Sequence, residues 1–423
     1  MKKIINKVFI LLIISLNMAY LPQAIIAIIN KIPLVSSITY SHEYISAGLR
    51  NNFPLIRYSK DIFILMLFIL MIFDAIKKRK ISKKVLTIII VIVFIVTPLS
   101  IFSLMISDEF NIYMIIAGIR IVIFPITIIM FVLQYLEYKN IETIYKVLMI
   151  ILKIIFMVTL FQAFIIITKL HTFNIVKYRL IGTFAASGLL GLFGVGIIIF
   201  IILYKLRINS SINIKLNSIL VAFIIYASGT RTSMVIYCII LFSYIYSRNI
   251  NKRNNYKLTS LFIILLFFVG IIVLNISEVL ADRGDAISAQ FNNGRVTFIL
   301  EYLKECNLKE ILFGKGIGFG TNTALSMLKE TFIDSTTRVM DGTINILITQ
   351  FGIIITSFVV FSYLYIIRKI IKTNLPSEVK IAIIAATVLL IVIGNVLEQF
   401  SLQLLLIINY YLILKKFKDE KND

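Results

Sequence analysis

The chain has 423 residues, 59% hydrophobic and 15% charged, with a formal net charge of +22 at pH 7. Uncharged apolar runs near twenty residues long exclude a soluble domain, and the lack of short alternating strands excludes an outer-membrane barrel. The basic residues stand in short clusters between apolar runs, which marks cytoplasmic loops rather than a nucleic-acid surface.

The expected fold class is an all-α polytopic membrane protein, a single integral membrane domain over 1–423 with about twelve transmembrane helices. In chain order they fall near 7–29, 61–76, 85–106, 112–136, 147–168, 182–204, 217–228, 232–247, 258–275, 342–367, 381–396 and 401–414. The first run follows Met1-Lys2-Lys3 and reads as an uncleaved helix, because so many spans follow it. Starting inside, the alternation puts the basic clusters at 77–80, 248–257, 368–372 and 415–421 in the cytoplasm with both termini. It leaves 30–60, 169–181, 229–231 and a large extracytoplasmic loop, 276–341, on the outer face of the cytoplasmic (inner) membrane. Cys238 and Cys306 predict neither a cysteine metal site nor a disulfide, and His42 and His171 lack the neighbours of a metal or triad site.

The spans 217–228 and 232–247 are short and flank Ser228-Gly229-Thr230-Arg231-Thr232-Ser233. Polar backbone at that depth survives when buried in protein or lining a wet cavity. With Thr230 as N-cap, the second helix would turn its free N–H groups and Arg231 outward, a pairing suited to an anion. A tight turn with Arg231 snorkelling to the interface explains the pattern equally well.

Within the loop, Val296, Ile299, Leu300 and Leu303 predict an amphipathic helix over 295–309, on the outer membrane surface or over a cavity. The glycines Gly314, Gly316, Gly318 and Gly320 follow. They lack the lysine and hydroxyl of a P-loop, so a turn requiring positive φ is the better reading.

Arg120 lies well inside the span 112–136, where an arginine costs roughly 2.5–3.5 kcal/mol and needs a partner or a cavity. Arg179, Arg231, Arg283, Arg295 and Arg338 add charge to the outer half. Arginine suits a bidentate grip on phosphate oxygens, so the set points to an anionic head group or a diphosphate. Arg283 and Arg338 are better read as surface partners of nearby acids. Asp341, where the loop re-enters the membrane before Gly342, Thr343 and Asn345, is a candidate base for a sugar hydroxyl, or an N-cap of the following span.

These motifs in this order resemble the O-antigen polymerase and ligase family. The resemblance rests on Ser228–Ser233 and on Gly294-Arg295 followed by Leu312-Phe313-Gly314-Lys315-Gly316-Ile317-Gly318. It also rests on Val339 to Gly352 and on Arg179 to Gly182. It implies a polysaccharide repeat-unit polymerase of the Wzy type, a metal-independent glycosyltransferase with no cofactor. Its partner would be an undecaprenyl-diphosphate-linked oligosaccharide in membrane lipid, with a chain-length regulator as a candidate protein partner and no nucleic acid. By that resemblance Arg231 and Arg295 hold the diphosphate and Arg120 and Arg179 add supporting charge, while Asp341 is the nearest equivalent of the family's base, with Asp334 or a late, little-assisted loss of the proton as the alternatives. The ligase branch typically carries a histidine near the end of the loop, and none stands there in this chain. The rivals are a lipid-linked oligosaccharide flippase, an O-antigen-ligase-like enzyme and a glycosyltransferase using lipid-monophosphate sugars. The flippase would show related halves, which the sequence lacks.

Overall fold

The computed structural model describes residues 1–32, 54–78, 97–106, 112–170, 179–184, 186–250, 299, 302–319, 321, 342–393 and 395–415. These are helical almost throughout. The helices are α1 (Lys2–Met18), α2 (Leu21–Ile29), α3 (Pro54–Lys78), α4 (Thr97–Ile106), α5 (Ile112–Gln134), α6 (Tyr138–Leu170) and α7 (Ser187–Arg207). They continue as α8 (Ile214–Ser228), α9 (Arg231–Ile250), α10 (Leu308–Phe313), α11 (Thr343–Ile371), α12 (Ser377–Ile393) and α13 (Phe400–Leu414). Among the described residues, 5 segments are long and apolar enough to cross a membrane: Lys2–Ile29, Met114–Gln134, Tyr138–Thr168, Ser187–Arg207 and Thr343–Ile371.

Helix α7 is the central pillar. It is apolar on every side, which marks a helix surrounded by protein, and it packs against α6, α8, α9 and α13. Its glycines permit the close approach. A Cβ on Gly194 would stand 2.6 Å from Ile225 of α8, and one on Gly196 would stand 2.8 Å from Leu405 of α13. Small residues at helix contacts are the usual means of tight packing where no water drives association. Around this pillar, α3 flanks α1 and α5, while α12 joins α9 to α11. Phe9 of α1 stacks on Phe131 of α5 with ring centroids 3.7 Å apart.

Polar side chains tie the helix ends together in two sets. At one end Lys2 pairs with Glu137, Asn6 bonds Asn140 at 3.3 Å, and Tyr411 donates to the Leu136 carbonyl at 2.7 Å. Arg207 donates to the Ile413 carbonyl at 3.1 Å, and Tyr135 donates to Asp74 at 2.8 Å, one turn before Lys77. This end collects Lys2, Lys77, Lys205, Arg207 and Lys415. The opposite end collects the close of α1, the starts of α7, α9, α11 and α13, and the segment 179–184.

Two boundaries differ from the sequence reading. The first run divides at Ala19–Tyr20 into α1 and α2, with a proline in the first turn of α2. Pro22 can start a helix, having no N–H to leave unpaired, but disfavours one running through it. The predicted helix over 295–309 also divides. Residues 302–305 are helical, and a new helix then starts at Leu308 behind an Asn307–Glu310 capping box. In the first piece Tyr302 is buried against Phe319 and Ile346, with Ile299 and Leu303 alongside, whereas the second piece leaves Leu308 and Phe313 exposed. Residues 295–298, 300 and 301 lie outside the described set.

Candidate functional site

The turn between α8 and α9 is built by hydroxyls. Gly229 ends α8 in the left-handed conformation, φ 61°, as a helix C-cap requires. Ser228 Oγ lies 2.7 Å from Thr230 Oγ1 and donates to the Ile225 carbonyl at 2.7 Å. Thr230 precedes α9, and its carbonyl accepts Met234 N at 3.1 Å, the position expected of an N-cap residue. Against this turn stands Gly191 of α7, where a Cβ would fall 2.0 Å from Thr230 Oγ1 and 2.9 Å from Ser233 Oγ. The motif is therefore packed into the bundle, with Arg231 opening α9 at a partly exposed position.

Arg179 is brought to the same turn. The next residue, Leu180, donates its N–H to the Ala227 carbonyl at 2.8 Å, one turn before Arg231. Arg179 itself has φ 39°, a left-handed conformation that costs a non-glycine residue about 1–3 kcal/mol. The surrounding structure imposes it. Gln162 of α6 is fully buried and clamps Gly182, accepting its N–H at 3.1 Å and donating to its carbonyl at 3.2 Å. Thr183 then donates to the Asn17 carbonyl at 2.7 Å.

Arg120 is reached from the same region through α1 and α13. Ser401 donates to the Leu16 carbonyl at 3.2 Å, and the preceding Phe400 lies under the Arg120 guanidinium at 4.7 Å. Arg120 Nε stands 2.6 Å from Asp61 Oδ1, as a contact of charges without the alignment of a hydrogen bond. The partner that the sequence requires for an intramembrane arginine is thus Asp61 of α3, supplemented by a cation–π contact.

A second buried glutamine holds the glycine loop. Gln350 of α11 is 0% exposed, accepts Gly318 N–H at 3.2 Å and donates to the Phe319 carbonyl at 3.1 Å. Lys315 N–H donates to the Thr349 carbonyl at 2.7 Å, and Ile317 N–H donates to the Ser100 carbonyl at 3.3 Å. Helix α11 breaks at Gly352, φ 71° and ψ 179°, directly beside this contact. Irregular backbone at membrane depth is tolerated where neighbouring protein satisfies it, and both glutamines serve that purpose. Gly314, Gly316 and Gly318 all have positive φ, and they wedge backbone between α5 and α11. The glycines are thus a packing device, in line with the turn reading of the sequence. Beside them, burial pushes the Cys306 thiol above its ordinary range.

The structure therefore places Arg179 beside the turn that Arg231 follows, and a relay of contacts through Thr183, Asn17, Ser401 and Phe400 leads from there to Arg120. Arg295 and Asp341 lie outside the described residues. Helix α11 starts at Thr343 with Gly342 as its N-cap residue. Thr343 Oγ1 accepts Val396 N–H at 2.9 Å, which brings the turn before α13 alongside. In that turn Glu398 accepts from Asn395 Nδ2 at 2.5 Å. The sequence reading passed over this carboxylate. Its signal was an acid between two apolar runs on the side assigned to the outside.

Among the described residues no group of three or more His, Cys, Asp or Glu could hold a metal ion. No protein-family model, curated protein or solved structure matches the chain.

Proposed function

We propose that the chain is a polysaccharide polymerase. It transfers a growing glycan from undecaprenyl diphosphate to a lipid-linked oligosaccharide repeat unit at the outer face of the cytoplasmic membrane. The observation that supports this reading is Arg179 standing beside the turn that Arg231 follows, with Arg120 reached through Asn17, Ser401 and Phe400, at the end opposite the clustered lysines. We take the lysine end as cytoplasmic, by the positive-inside rule. With twelve spans and the loop 276–341 outside, the arginines then face the compartment where lipid-linked repeats await assembly.

The chemistry asked of such a site is limited. An acceptor hydroxyl attacks the anomeric carbon of the growing chain, the bond from that carbon to the diphosphate oxygen breaks, and the diphosphate leaves on its lipid with the bonding pair. The hydroxyl proton passes to a base, for which Asp341 is the candidate. Arg231 and Arg295 neutralise the charge that builds on the leaving diphosphate, and fixed cations of this kind act most strongly in a site screened from water. Arg179 adds charge behind them, and Arg120 does so to the extent that its Asp61 partner leaves it uncompensated.

The second reading, a lipid-linked oligosaccharide flippase, draws on Arg120 within an apolar helix. Location of the accumulated intermediate separates the two. In cells lacking the protein, the polymerase reading expects single lipid-linked repeats accessible from outside to an impermeant sugar oxidant. A flippase would leave them protected on the cytoplasmic side.

A further inference from the structure

We propose that Gln162 is a positioning residue that acts through Arg179: by fixing the backbone of 179–184 it holds Arg179 for a diphosphate head group. The proposal rests on the polymerase reading and adds to its site a residue that touches no substrate. Gln162 lies on α6 and is 0% exposed. Its amide serves both backbone groups of one residue, accepting the Gly182 N–H at 3.1 Å and donating to the Gly182 carbonyl at 3.2 Å. A two-point bond of this kind fixes the register of the segment, because a slip of one residue breaks both contacts at once. Two further bonds pin the same stretch. Leu180 N–H donates to the Ala227 carbonyl at 2.8 Å, and Thr183 Oγ1 donates to the Asn17 carbonyl at 2.7 Å.

Arg179 stands at the edge of this pinned stretch, and the strain falls on it. Its φ of 39° lies in the left-handed region, which glycine enters freely and arginine does not. Among the described residues the other non-glycine in that region is Lys31, which follows the end of α2, where a left-handed residue is ordinary. Arg179 closes no described helix. The second buried glutamine supplies the contrast. Gln350 also bonds irregular backbone, but there the positive φ falls on Gly316 and Gly318. Satisfying a buried segment therefore does not require a strained side-chain-bearing residue. Such strain persists where the surroundings over-determine it, and it gathers at ligand sites. The same bonds set Arg179 beside the end of α8, whose Ala227 lies four residues before Arg231. A diphosphate has oxygens and charge enough for both guanidinium groups.

The test uses the full chain purified in detergent. Binding of undecaprenyl diphosphate and of uncharged undecaprenol is titrated by native mass spectrometry, and folding is read by the thermal midpoint. The ratio of the two affinities reports the head group alone, since general loosening of the bundle weakens both lipids together. Arg179→Gly is expected to cut the preference for the diphosphate roughly tenfold or more, the scale of one charge-assisted contact. Gln162→Met should cut it comparably, and should add no further cut when combined with Arg179→Gly, because the two residues act as one. Ser211→Ala at the other end should leave the ratio unchanged. Arg179→Gly should also have a higher midpoint than Arg179→Ala, since both lose the side chain and only glycine relieves the backbone. An unchanged ratio in Gln162→Met, an equal further cut in the double variant, or no preference for the diphosphate in the parent would each overturn the proposal. So would a midpoint of Arg179→Gly no higher than that of Arg179→Ala. Failure of Gln162→Met to fold would make Gln162 a determinant of the fold and overturn the positioning role as well. The polymerase reading fails separately, if cells lacking the protein still make long polymer; selective binding of the diphosphate lipid by the purified chain would survive that result.

Discussion

Cells in which Arg231→Ala replaces the parent protein are expected to make polymer at a rate reduced by about 100-fold or more, the scale for losing one fixed group that stabilises developing charge. Arg231 opens α9 in a turn fixed by Ser228, Thr230 and Gly191, so the truncation leaves the turn's own hydrogen bonds intact. The protein should therefore reach the membrane at the parent level, which immunoblotting of membranes checks. Arg231→Lys keeps the charge but not the planar fork, and should recover only part of the loss. Arg295→Ala is expected to behave as Arg231→Ala does. Near-normal chain length in both alanine variants at normal protein level would remove the diphosphate role assigned to them.

The largest structural effect is expected from Gly318→Ala. A Cβ there would lie 1.9 Å from the Met114 carbonyl oxygen, and Gly318 has φ +83°. Left-handed strain alone costs about 1–3 kcal/mol, and displacing helix backbone adds to it, because a packed carbonyl cannot swing aside as a side chain can. The loop held by Gln350 should come away from α5, lowering the thermal midpoint in detergent and opening 314–321 to limited proteolysis. Gly188→Ala is the control. Nothing lies within 4 Å of its added Cβ, and helical alanine is favoured over glycine by roughly 0.5–1 kcal/mol, so no loss is expected. Equal behaviour of the two variants would show that the glycine loop does not bear on α5.

Elements governed by local pattern were legible in the sequence. The uniformly apolar 182–204 became the buried pillar α7, and Gly229 with Thr230 marked the turn between α8 and α9. The first short span is longer than its apolar run because Asn213 caps α8 ahead of Lys215 and Asn217. A hydropathy window discards those residues, whereas a helix continues through them. What remained hidden was pairing between distant segments. Nothing in the spacing near Arg120 names Asp61 or Phe400, and nothing near Gln350 announces that it holds Gly318 and Phe319. The break at Gly352 was unread for the same reason. It becomes tolerable because the Thr349 carbonyl is satisfied by Lys315, a neighbour supplied by the fold. At the candidate site, the need for an arginine partner was foreseeable from the expense of burying charge, whereas the carboxylate of Glu398 was not distinguished from any turn residue.

The central claim is that this chain lengthens a glycan, and chain length tests it most directly. Surface carbohydrate from a deletion strain, separated on a gel beside its parent and a complemented strain, is expected to lack the long ladder. Only single repeats should remain, with the ladder restored on complementation. A deletion strain with an unaltered ladder would contradict the account.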